Sequence, residues 1–99
     1  MNRVKIVWLP ESKGGRKTIP PAGKYYAVSC FKEDKEWPNN AWSVVFEIDE
    51  CEIKNNEICS LGAVRFLMDT APESRLKSQN KFEIYEGPKK VAYVYLIHN

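Results

Sequence analysis

The sequence predicts an all-β domain, six short strands arranged as a closed barrel or a sandwich, and three observations carry that reading. Segments rich in β-branched and aromatic residues recur along the whole chain, and each is closed by Gly, Pro, Asn or Asp. No window sustains an apolar stripe at helical spacing for three turns. The 99 residues have room for one domain, spanning 1–99, with one modest core.

The first strand is expected over Val4–Leu9, where an apolar run ends at Pro10. That run is too short for a signal peptide or a membrane span, so no membrane partner is expected. Residues 11–26, ESKGGRKTIPPAGKYY, have no hydrophobic periodicity and form a long first loop. The second strand is expected over Tyr25–Phe31 and the third over Ala41–Ile48, with Trp42, Val44, Phe46 and Ile48 on the core face and Val45 the exception to the alternation. A fourth follows at Ala63–Met68, with Val64, Phe66 and Met68 inward, and a fifth at Lys81–Tyr85, with Phe82 and Ile84 inward. The sixth, Lys90–Ile97, is apolar on both faces: Val91, Tyr93, Tyr95 and Ile97 on one, Ala92, Val94 and Leu96 on the other. Such a strand belongs to a covered wall or a sandwich centre. Gly87 and Pro88 make a tight turn between the last two strands, because glycine tolerates positive φ and proline cannot pair in a ladder. The polar stretches at 33–40 and 71–80 each have the composition for one helical turn.

Fifteen basic and thirteen acidic side chains leave a net charge of +2, far from the strongly basic character of a dedicated nucleic-acid binder. Any basic footprint is therefore local. Three cysteines, Cys30, Cys51 and Cys59, contain no C-x-x-C pair, and His98 is the only histidine, so the residue set for a metal site is missing. The pattern fits free thiols in a reducing cytosol and a cytoplasmic location. A two-residue turn at Asn55 and Asn56 would set Cys51 opposite Ser60 and Cys59 opposite Glu52, leaving the thiols out of register for a disulfide.

Nucleophilic catalysis needs a base beside its nucleophile, and His98 stands at the end of the chain. Adjacent carboxylates such as Asp49 and Glu50 point to opposite faces of a strand. No enzyme and no cofactor are therefore expected. GGRKT, Gly14–Thr18, departs from a phosphate-binding loop, since Arg16 stands where the second glycine belongs and prolines follow it. What remains is a glycine pair beside Lys13, Arg16 and Lys17 that could attract an anion, or simply a solvated basic turn. Lys24, Lys89 and Lys90 add charge, and one of the adjacent Tyr25 and Tyr26 must face outward. Trp8 and Trp42 read as core. Trp37, in a charged loop before Pro38, reads as exposed: a partner surface or a lid over a barrel end.

The order GGRKTIPPAG followed by Tyr25–Phe31, then SLGAVRF, then FEIYEGPKKVAYVYL, resembles the C-terminal β-barrel domain of elongation factor Tu. Gly14, Gly15, Arg16 and Gly23 match its G-G-R loop and the glycine opening the next strand. Leu61 and Gly62 stand for its P-G turn, and Phe82, Ile84, Glu86 and Gly87 for its F-x-I-x-E-G. The likeness runs from about Val4 to Ile97. Departures are KYYAV (24–28) in place of Y-R-P-Q-F, LGA (61–63) in place of P-G-D, Pro88 for the second glycine of E-G-G-R, and Tyr93 and Val94 in the last strand.

The resemblance implies a six-stranded antiparallel barrel with surfaces for the tRNA T-stem backbone, a GTPase domain and an exchange factor. The GTPase domain itself is absent, so no GTP binding is expected. Gly15, Arg16, Thr18, Gly87 and Lys89 occupy the positions that the family places toward tRNA. Two functions are expected from this: a non-catalytic module docking a protein partner, translation-related or a toxin met by an immunity-type protein, or a weak, salt-sensitive RNA binder using Lys13, Arg16, Lys17, Lys24, Lys89 and Lys90.

Overall fold

The computed structural model describes residues 2–32, 34–37 and 41–98. Its six strands are β1 (Asn2–Trp8), β2 (Gly23–Cys30), β3 (Ser43–Lys54), β4 (Glu57–Phe66), β5 (Lys81–Glu86) and β6 (Lys89–Leu96). They close into an antiparallel barrel in the order β1-β4-β3-β2-β5-β6. The expected barrel class holds, and a sandwich is ruled out by the pairing of β6 with β1 that completes the ring. A 3-10 turn at Glu11–Lys13 and the short helix α1 (Arg75–Ser78) are the only helical pieces among the described residues. Residue 33 and residues 38–40, part of the loop that could have carried a helical turn, lie outside the described residues.

Alternation fills the interior. Val4, Ile6 and Trp8 enter it from β1, Val44, Phe46 and Ile48 from β3, Val64 and Phe66 from β4, Phe82 and Ile84 from β5, and Ala92 and Val94 from β6. Side chains occupy the whole lumen, as they do in barrels of so few strands. One pole is plugged by Phe31, Ala71 and Leu76, with the Phe31 ring stacked on Phe82 at 4.5 Å. Trp8 closes the opposite pole, where its indole N–H donates to the buried Ser60 hydroxyl at 2.8 Å and its ring meets Tyr25 edge-on at 5.4 Å.

Four expectations need correction. The β3–β4 hairpin is much longer than the sequence pattern implied, because Asn55 and Asn56 both take positive φ (53° and 66°) and build a two-residue turn. Its outer part, Asp49–Glu57, is exposed on both faces beyond the barrel, and its brief alternation of Cys51 and Ile53 with Glu50, Glu52 and Lys54 faces solvent rather than a core. Met68 is exposed, since the ladder ends at Phe66 and the chain turns away. Trp42 precedes β3 and is half-buried, yet still packs on the core beside Phe66. In β6 the two apolar faces are not equivalent: Ala92, Val94 and Leu96 are buried, while Tyr95 and Ile97 are exposed and Tyr93 is half-exposed. Val91, expected on the same face as these tyrosines, is buried instead, because β5 and β6 slip register beside it. Cys51 does pair with Ser60, and Cys59 with Glu52, and all three thiols are free.

Candidate functional site

The ring has one weak seam, and three of the predicted binding residues, Arg16, Trp37 and Gly87, lie beside it. β2 and β5 share only three paired positions, Val28 with Tyr85, Ser29 with Ile84 and Cys30 with Glu83. Above them the strands separate, and side chains bridge the gap. The Tyr25 hydroxyl and the Arg16 guanidinium both donate to the Glu86 carboxylate, and Arg16 Nε donates to the Thr18 carbonyl at 2.9 Å. The guanidinium also lies 5.6 Å from the centre of the Tyr25 ring. Arg16, expected as a free phosphate contact, is thus the clasp that ties the first loop to the end of β5.

The clasp has an electrostatic signature. Burial, then the hydrogen bond and charge of Glu86, push the Tyr25 phenol well above its usual range. A raised folded-state pKa means the fold holds that proton more tightly than the unfolded chain does. Its contribution to stability is whole below the unfolded phenol's pKa of about 10 and is lost as pH rises from there toward the folded value. Burial shifts Tyr85, Cys30 and Cys59 in the same direction. Tyr25→Phe should cost about 1 kcal/mol at neutral pH. It should also flatten the alkaline decline. Urea midpoints of the variant and the parent, compared below and above the ordinary phenol range, measure both.

The loop that holds Arg16 is folded tightly on itself. Lys13 and Gly15 N–H both donate to the Pro10 carbonyl, and Gly14 takes φ +90°. Gly15 is buried with no room for a side chain, as a Cβ there would lie 1.9 Å from the Leu9 carbonyl oxygen. Lys13, Lys17 and Thr18 are exposed. Lys13, Arg16 and Lys17 share a cleft of about 570 Å³ between this loop and the β3–β4 hairpin, floored by Trp8, Ile19 and Ile58. The other predicted cations are elsewhere. Lys24 lies 4.0 Å from Glu47, Lys90 is 3.1 Å from Glu83, and Lys89 is exposed beside the β5–β6 turn.

Trp37 is half-buried rather than fully exposed. Its indole N–H donates to the Ser29 carbonyl at 2.9 Å and its ring lies 4.2 Å from that of Tyr85. Anchored this way, it walls a groove of about 690 Å³ together with Val28, Ala41, Ser43, Gly87 and Pro88. The structure therefore brings two predicted positions, Trp37 and Gly87, into one apolar site. A shallower extension continues along the open seam to Tyr26 and Leu67, both exposed.

Sequence reasoning missed Leu67 as part of this groove, and it missed the exposed tyrosines of β6. The strict alternation of Tyr93 and Tyr95 with Ala92, Val94 and Leu96 was the available signal for the second. Among the described residues no three His, Cys, Asp or Glu side chains gather as metal ligands. No family model, curated protein or solved structure matches the chain.

Proposed function

We propose that the chain is a non-catalytic interaction module, a barrel of the elongation factor Tu C-terminal kind, which docks a protein partner in the groove beside Trp37. The observation that carries this reading is the groove itself. Its wall is an aromatic pair already ordered by the Trp37–Ser29 hydrogen bond, so a partner would bury apolar surface without first paying to immobilise those rings. Exposed Tyr26 and Leu67 extend the apolar surface, and Lys89 supplies a charged rim. Partners of the translation machinery, or a toxin held by an immunity-type protein, are the classes this surface would serve.

Capture from RNase-treated lysate tests it. The parent protein should retain a stoichiometric partner that the double variant Tyr26→Asp, Leu67→Asp loses, both positions being exposed and outside the core. Identical retention by parent and variant overturns the reading. The exposed Lys13 and Lys17 on the loop cleft support a second reading, contact with RNA phosphates. In it Arg16 takes part only by releasing Glu86. Titration with tRNA at low salt, using the parent and a Lys13→Gln, Lys17→Gln variant, checks that reading.

A further inference from the structure

Across the ring from the Trp37 groove, the outer face of β1, β6 and β5 carries tyrosines set among lysines. Tyr95 on β6 is 41% exposed and stands directly between Lys5 of β1 and Lys81 of β5 in the strand register. Two residues along the same face, Tyr93 has the ammonium of Lys90 5.2 Å and that of Lys81 5.5 Å from its ring centre. Lys90 is also paired with Glu83, whereas Lys5 and Lys81 have no ion-pair partner among the described residues. No other ring and no cation stacks on Tyr95 among them.

We propose that this face binds single-stranded nucleic acid, with Tyr95 as a stacking platform for one base and Lys5 and Lys81 holding the flanking phosphates. The geometry suits an unstacked strand. The tyrosines are about 7 Å apart along β6, and the two lysines flank Tyr95 one strand away on either side, about 5 Å each. A ring open to solvent offers any base a π-face, and unpaired ammonium groups on both sides supply the charge that tracks a backbone. A duplex presents stacked bases and cannot use the ring. The proposal is independent of the groove at Trp37, which lies on β2, β3 and the β5–β6 turn.

The test is fluorescence anisotropy of the full chain with labelled oligouridylate, labelled oligothymidylate and a labelled duplex, over a range of salt. Saturable binding of one or both single strands, tighter than of the duplex, is expected, and the RNA and DNA arms identify the sugar preferred. Tyr95→Phe should bind as the parent does. Tyr95→Ile, which keeps a β-forming apolar side chain, should lose about five-fold or more, the lower end of what one base stack supplies. Lys5→Gln with Lys81→Gln should flatten the salt slope by about 1.4, at 0.7 per charge on a single strand. Unchanged thermal melting of the variants would show that the fold is intact. No saturable binding at low salt, duplex bound as tightly as single strands, or equal affinity of Tyr95→Ile and parent would each overturn the proposal.

Discussion

Gly15→Ala should destabilise the domain by about 3 kcal/mol, at the upper end of the range for an overpacked site. The added methyl would stand 1.9 Å from the Leu9 carbonyl oxygen and 2.6 Å from its carbon, and backbone cannot swing aside as a side-chain tip can. Either the loop or the end of β1 must move. Movement would break the Gly15 N–H bond to Pro10 and displace Arg16 from Glu86. Gly14→Ala provides the contrast. Its Cβ meets open space, so only the left-handed backbone conformation is penalised, by about 1–2 kcal/mol. Urea denaturation of both variants should rank Gly15→Ala as the more damaging, and the reverse order would mean that the loop is not packed as described. The result also separates two roles for this glycine. A ligand-contacting Gly15 would lose binding at unchanged stability, whereas the steric role lowers stability first.

The loop shows why a fold can be read from sequence further than a site can. The glycines, prolines and lysines of residues 11–26 are local facts, and they mark a long crossing loop between the first two strands. The partner of Arg16 is seventy positions away, and only closure of the ring brings Glu86 beneath it. No local pattern distinguishes a cation held by such a carboxylate from one left in water. The same holds for the β3–β4 hairpin. Alternation predicts strands because one face is buried, so the stretch from Asp49 to Glu57, wet on both faces, left only the two asparagines and the short alternation of Cys51 and Ile53 with charged residues as a signal.

The exposed face of β6 was hidden for the opposite reason. Tyrosine is at home in a core and on a surface, so a strand with tyrosines on one side and small aliphatics on the other reads as buried twice. Register resolves it, because Tyr95 lies beside two lysines, while Val94 pairs with Ile6 and Phe82. Trp37 lies between these cases. Its charged loop marked it as exposed, whereas the Ser29 carbonyl and the Tyr85 ring that hold it half-buried belong to β2 and β5. Strands of a closed barrel fix where such rings stand, and the groove is a consequence of that closure.

Asp34→Ala should cost about 3 kcal/mol or more, because its carboxylate joins three parts of the plugged pole. One oxygen accepts from Arg75 Nη1 at 2.6 Å and the other from the Phe31 N–H at 2.9 Å. The Asp34 side chain is only 4% exposed and that of Arg75 19%. The Arg75 guanidinium in turn lies 5.6 Å from the centre of the Phe31 ring, which stacks on Phe82 inside the barrel. Truncation therefore takes a buried carboxylate away from a half-buried guanidinium, and it leaves the Phe31 N–H without that acceptor. Asp34→Asn should be milder than Asp34→Ala, since an amide oxygen can still accept from Phe31. Removing both members of the pair, Asp34→Ala with Arg75→Met, should cost less than the sum of the two single changes, because the bond between them is lost in each single change but only once in the double. Chemical denaturation of the four variants gives the coupling directly. An Asp34→Ala protein within about 0.5 kcal/mol of the parent would place that carboxylate among ordinary surface ion pairs. The pole would then be held by Phe31, Ala71 and Leu76 alone.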